Sequence, residues 1–163
     1  MVELIKCVTR EKVKNVLFKM KSLKAPGPDG FNVFFYKKAW PIVGEDFMDA
    51  VIYFFENGRI LREWNDTALT LIPKVANPSR MSDFRPIACC NVMYKCISKI
   101  MANRLKGVLP TLINEAQLAF VPGRSIGDSI LIAQELVRNY HQSNTKSRCT
   151  IKVDILKAYD MVN

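Results

Sequence analysis

"NDTALTLIPKVANPSRMSDFRPIACC", residues 65–90, is the stretch that decides how this chain is read. Two short apolar segments, residues 68–72 and 86–90, flank a polar loop that contains proline, the pattern of a long-looped β-hairpin. Lys74 follows the first arm and Arg85 begins the second, with ten residues between them. If the arms pair, both cations sit at one open end, where they can clamp a polyphosphate or a nucleic-acid backbone. Spacing alone favours the plainer outcome, two solvated hairpin ends.

Helical patterns lie on both sides of the hairpin. Val13, Val16, Leu17 and Met20 recur at i, i+3, i+4, i+7, with Thr9 able to cap the start. "KAPGPDGF" then imposes a rigid turn that neither helix nor strand crosses. A second helical stretch begins near Asn32, is interrupted at Pro41, and resumes through Phe47, Val51, Phe54 and Phe55 to Asn57-Gly58. From Asn91, "NVMYKCISKIMANRLKGVLPTLI" predicts a helix with Met93, Ile97, Ile100, Met101, Leu105 and Val108 on its apolar stripe, and Lys95, Lys99 and Lys106 on the opposite, solvated side. "QLAFVPGRSIGDSILIAQELVRNYHQ" reads as a short strand, a Pro-Gly turn carrying Arg124, and a helix opened by a Ser125/Asp128 capping box. "IKVDILKAYDMVN", residues 151–163, alternates as a last strand with Asp154 in it. A carboxylate there must stay hydrated, find a cation or bind a metal. The fold class is α+β, without internal repeats or a linker between independent domains.

Composition bounds the partners. The chain has 163 residues, 49% of them hydrophobic, which is globular in character. Its formal charge of +9 favours a polyanion, nucleic acid first. The longest apolar runs, "AVIYFF" and "SILIA", fall far short of the ~18 residues of a membrane span. The amino terminus lacks the core of a signal peptide, so an intracellular protein is expected. Five cysteines without a CxxC pair, and a single histidine, His141, give no recognisable zinc register and predict reduced thiols.

Five blocks in order, "LKAPGPDGF", "LTLIPK", "DFRPIACCNVMYKCISKIMANRLK", "QLAFVPGRSIGDSIL" and "KVDILKAYDMV", resemble the successive amino-terminal blocks of reverse transcriptases from non-LTR (LINE-type) retrotransposons, particularly those of plants. The resemblance spans nearly the whole chain. It implies helix-rich fingers with a β-hairpin and the first palm strand of a right-hand polymerase, so that residues 1–163 form a partial reverse transcriptase domain. It implies that Asp154 is the first catalytic aspartate and binds Mg²⁺ for two-metal transfer, with the Ile155 carbonyl completing the shell. Tyr159 stands where the family has an aromatic that blocks the ribose 2′-hydroxyl, while Asp160 reads as a turn or cap residue. Lys74 and Arg85 then hold the dNTP triphosphate, and Lys24 and Arg124 line the template path. The implied partners are an RNA template, a DNA primer and dNTPs, with no membrane; the implied compartment is the nucleus. The family's aromatic-x-Asp-Asp element lies downstream of the first palm strand, and no Asp-Asp dipeptide occurs in this sequence. The expectation is therefore a truncated polymerase fragment, inactive alone. The alternative is a basic nucleic-acid-binding remnant without catalysis.

Overall fold

The computed structural model describes residues 2–114, 116–118, 121, 123–138, 149, 151 and 153. The chain divides into two units, Met1–Ile113 and Asn114–Asn163, each described by itself.

The first unit is a helical body from which a hairpin projects. Its elements run α1 (Val2–Ile5), α2 (Arg10–Lys19), α3 (Val33–Lys38), α4 (Trp40–Asn57), α5 (Arg62–Asn65), β1 (Thr67–Pro73), a 3-10 turn (Met81–Asp83), β2 (Phe84–Cys90), α6 (Val92–Lys106) and α7 (Leu109–Leu112). Thr9 caps α2 as expected, its hydroxyl accepting from the Lys12 N–H. Asn32 caps α3 through the Phe35 N–H. The break between α3 and α4 falls at Ala39, and Pro41 sits in the first turn of α4, where its missing N–H costs nothing. Gly58, at φ 66°, closes α4 in the left-handed region that a side chain disfavours.

The core lies among α2, α4 and α6, where Leu17, Val13, Val51, Val92 and Ile100 lose essentially all solvent contact. Each such burial is worth about 1.5–3 kcal/mol. The buried face of α6 is Val92, Met93, Cys96, Ile97 and Ile100, shifted from the stripe expected: Met101 and Leu105 are nearly half exposed. Phe54 and Phe55 rest against the core instead of entering it. Arg10 pairs with Glu45 and Asp49, pinning α2 to α4. Arg104 stacks 5.1 Å from the Phe55 ring centroid and donates to the Leu4 carbonyl at 3.2 Å, holding the amino terminus on α6.

β1 and β2 pair antiparallel from Thr67↔Cys90 to Pro73↔Phe84, and form a two-stranded sheet with Leu69, Leu71, Ile72 and Ile87 exposed. Prolines are tolerated in it because both strands are edges. A lone hairpin is marginal in water, so its order depends on where it is anchored. The anchor is Asn91, directly after β2 and only 1% exposed. Its Nδ2 donates to the Glu63 carbonyl at 2.8 Å, and its Oδ1 accepts from the Asp29 N–H at 3.2 Å. The "PGPDG" turn closes against it, with the Gly30 N–H donating to the Gly27 carbonyl at 3.1 Å and the Phe31 N–H to Asp29 Oδ1 at 3.0 Å. A Cβ at Gly27 would overlap Asn91 and lie 2.6 Å from the Cys90 carbonyl carbon.

In the second unit α8 (Ile126–Val137) is capped by Ser125, whose Oγ accepts from the Gly127 N–H at 3.1 Å. The expected box is not formed among the described residues: the Ser125 hydroxyl takes the Gly127 N–H, and the Asp128 N–H donates to the Ser125 carbonyl at 3.3 Å. Gln117, Leu118 and Val121 carry no strand, and the Gln117 N–H closes a turn on the Asn114 carbonyl instead. Ile151 and Val153 likewise lie in neither helix nor strand. The remainder of the expected last strand, and His141, fall outside the described residues.

Two outcomes follow from this packing. Gly27→Ala and Asn91→Ala each lower unfolding free energy by about 1–3 kcal/mol, the first by overpacking against backbone and the second by removing the buried amide that partners the part-buried Asp29 N–H and Glu63 carbonyl, read by urea denaturation. Burial raises the Cys96 thiol from 9.0 to about 12. The unfolded chain therefore loses this proton before the folded one. Stability is full below about pH 9 and falls as pH rises toward about 12; denaturation of Cys96→Val, compared over that window, lacks this component of the slope.

Candidate nucleic-acid interface

Two clusters of cations are built by the first unit, one at the hairpin tip and one beside the "PGPDG" turn. At the tip, Arg85 lies opposite Ile72, and the Lys74 N–H donates to the Asp83 carbonyl at 2.7 Å. Residues directly opposite share a face, as do residues two apart, so Lys74 and Arg85 belong to one face, one register step from each other. The common end expected from the spacing is therefore formed, and it is the one that the loop closes. The two cations differ in what they already hold. Lys74 Nζ donates to the Ser82 carbonyl at 2.8 Å, whereas the exposed Arg85 guanidinium has no polar partner among the described residues.

The loop that carries Lys74 is organised by Asp83. Its carboxylate accepts from the Ser79 N–H at 3.0 Å and the Arg80 N–H at 2.9 Å. The Arg80 and Ser79 N–H groups, with lesser help from the Ser82 hydroxyl and the Lys74 charge, hold this carboxyl below its usual range. An ionised Asp83 is thus a fixed negative charge beside Lys74. It restrains the loop and at the same time occupies part of the cation's field.

Lys24 lies elsewhere, on the segment between α2 and the "PGPDG" turn. That segment is held at three points: Lys37 Nζ donates to the Met20 carbonyl at 2.7 Å and to Ser22 Oγ at 3.2 Å, Lys95 Nζ donates to the Ala25 carbonyl at 2.8 Å, and Asn91 holds Asp29. Lys24 therefore faces a groove of about 540 Å³ shared with Lys19, Lys21, Lys95, Lys99 and Asn103. The sequence pattern had Lys95 and Lys99 as a merely solvated helix face. Their i, i+4 spacing is visible in the sequence, but their approach to Lys21 and Lys24 across more than 70 residues is not.

In the second unit the Arg124 guanidinium clips its own loop, donating to the Asn114 and Gln117 carbonyls, each at 2.6 Å, next to Gly123 at φ 80°. Asp154, Ile155 and Tyr159 fall outside the described residues. Among the described residues no group of three or more His, Cys, Asp or Glu side chains stands close enough to hold a metal ion, and no helix is long and apolar enough to cross a membrane. All five cysteines are free, and Cys96 is buried.

Residues 72–163 match the family described as reverse transcriptase (RNA-dependent DNA polymerase). The chain is 28% identical over 156 residues to the transposon TX1 uncharacterized 149 kDa protein of Xenopus laevis, covering 96% of this chain and 12% of that protein. It is 25% identical over 140 residues to the retrovirus-related Pol polyprotein from the type-1 retrotransposable element R2 of Nasonia vitripennis, and 24% over 139 residues to that from the type-2 element R2DM of Drosophila melanogaster, each covering 85% of this chain and 13% of the relative. The chain thus spans about an eighth of the length of these curated relatives. The matched segment takes in most of the hairpin and all that follows it, and the likeness to retrotransposon proteins extends over the helices before it: the chain belongs to the reverse transcriptase family, with non-LTR retrotransposon proteins as its relatives.

Proposed function

We propose that these 163 residues are the fingers and the start of the palm of an RNA-directed DNA polymerase, which adds dNTPs to a DNA primer on an RNA template. The observation that carries this reading is the family match over residues 72–163, which takes in Lys74, Arg85, Arg124, Asp154 and Tyr159. The pairing of β1 with β2 supports it, because Lys74 and Arg85 share one face at the hairpin tip, a disposition suited to a triphosphate.

In this reading Arg85 offers its planar fork to the phosphate oxygens, and Lys74 exchanges the Ser82 carbonyl for them as a point charge. Lys24 and Arg124 face the template backbone, which they hold without reading its sequence. Tyr159 bars the ribose 2′-hydroxyl. The Asp154 carboxylate and the Ile155 carbonyl are hard oxygen donors of the kind Mg²⁺ takes, and they fit that ion. When bound, it stabilises the charge that develops on the transferred phosphoryl group. No Asp-Asp dipeptide occurs among these residues, so turnover needs carboxylates beyond Asp154, and the nuclear compartment of such an enzyme belongs to the same proposal.

Primer extension on an RNA template, by a polymerase that contains these residues, tests the reading. Asp154→Ala lowers extension at least about a hundredfold while template binding persists, since metal stabilisation is worth several kcal/mol and each ~1.4 kcal/mol is tenfold; synthesis at the parent rate removes the metal role. Tyr159→Ala admits ribonucleotides, read as a fall in the dNTP over rNTP ratio of kcat/KM. An unchanged ratio refutes the gate.

A further inference from the structure

Among the described residues no third strand pairs with β1 or β2, and their two outer edges are not equivalent. The Lys74 N–H donates to the Asp83 carbonyl, which makes the step beyond Pro73↔Phe84 a hydrogen-bonded pair. Hydrogen-bonded and non-hydrogen-bonded pairs alternate in an antiparallel ladder. Ala68, Thr70 and Ile72 therefore turn their N–H groups toward β2, and Thr67, Leu69 and Leu71 turn theirs away from it. On β2 the outward position opposite Leu71 is Pro86, which has no N–H to offer, and Arg85 beside it adds a charge. Proline and charge both blunt a strand edge, and the β1 edge has neither before Pro73.

That open edge is complementary to itself. Thr67–Pro73 reads TALTLIP, in which Leu69 and Leu71, then Ala68 and Ile72, flank Thr70. Laid antiparallel about a two-fold axis at Thr70, Leu69 meets Leu71 of a second copy. Both carry outward N–H and C=O groups, so each such pair exchanges both bonds, and the Thr67 N–H reaches the Pro73 carbonyl of the other copy. Only this register overlaps the whole strand; a shift of two residues either way shortens it. Leu69, which is 71% exposed, and Leu71 lie on one face, so the leucines of both copies close into one apolar cluster while Thr70 meets Thr70 across the axis. No charged side chain occurs in Thr67–Pro73, so two copies of a chain of net charge +9 meet here without like charges opposite each other. A lone two-stranded sheet is marginal in water, and the pairing supplies the strands that it lacks.

We propose that β1 is a self-association edge through which two copies of this chain form one antiparallel sheet in the order β2-β1-β1-β2. The contact is isologous, and Pro86 and Arg85 close both outer edges, so growth stops at the dimer. An edge of seven residues is small beside the ~800 Å² per partner of a stable interface, so the dimer is weak and concentration-dependent.

Sedimentation velocity of the intact chain over a concentration series tests the pairing. No nucleic acid, dNTP or metal is present, so the outcome is independent of the polymerase reading. A monomer–dimer equilibrium is expected. Leu69→Lys, which sets a cation against the leucine cluster, should abolish the dimer, whereas Met81→Lys, the same charge on the exposed loop, should leave it intact. Register is read by mild oxidation in a background with Cys7, Cys89, Cys90 and Cys149 changed to serine. Thr70→Cys should give a covalent dimer, since the Cα atoms of a non-hydrogen-bonded pair lie about 4.5 Å apart, within disulfide reach. Thr67→Cys should not, because its two copies stand about 20 Å apart at ~3.3 Å per residue. In the unaltered chain the Leu69 and Leu71 amides should gain protection from hydrogen exchange as concentration rises. A monomer at every concentration, open-ended assembly, equal loss in the two lysine variants, or equal cross-linking at positions 67 and 70 would overturn the proposal. Protection of those amides in the monomer would also overturn it, in favour of another segment of the same chain on this edge.

Discussion

Asn91 is the constraint on which the first unit depends. One buried asparagine ties together three segments that are distant in sequence: the "PGPDG" turn through Asp29, α5 through the Glu63 carbonyl, and, through its own backbone, the junction of β2 with α6. Its side chain makes no capping bond to α6, although Asn91 occupies the cap position. Buried amide groups left without partners cost about 1–3 kcal/mol each, so the three segments stay together as long as this side chain is satisfied. Gly27 is the complement of this arrangement, because only a residue without Cβ lets the turn approach the Cys90–Asn91 peptide.

Both cationic clusters inherit their geometry from that junction. The hairpin buries little of itself, yet it leaves the helical body at a fixed point because β2 runs straight into Asn91. The turn that carries Asp29 also fixes the segment bearing Lys24, and α6 begins where that turn is held. A helical core with one anchored junction thus supports two exposed basic surfaces. Neither is stabilising in itself. Their charges are tolerated because the core beneath them, from Val13 and Leu17 to Ile100, provides the favourable burial.

The helices and the hairpin were legible because each writes its period into the residues. Thr9, Asn32 and Gly58 mark ends by capping chemistry that requires no tertiary partner, and the two apolar arms around residues 74–83 specify a pair that the register realises. Reading failed where neighbours decide. Met101 and Leu105 share the spacing of Met93 and Ile97, but they border a cavity lined by Phe54 and Phe55 of α4 instead of packing into the core, so they stay nearly half exposed. The residues from Gln117 to Val121 carry β-formers, yet Gln117 folds back on Asn114. Short apolar runs are equally compatible with strand and turn until a pairing partner is present.

By itself the sequence determined the longer helices, the family to which the chain belongs, and the hairpin with Lys74 and Arg85 at one end, because local periodicity, capping and ordered motifs are properties of neighbouring residues. Only the tertiary structure decided that Asn91 serves as a latch, that Gly27 must be glycine, that Lys74 is already held by Ser82 while Arg85 is open, and that Lys95 and Lys99 meet Lys19, Lys21 and Lys24 in one groove. The physical reason is range. A hydrogen bond or a shared electrostatic field between residues some 70 positions apart leaves no periodic trace in the chain, and exists only once packing has brought the segments together.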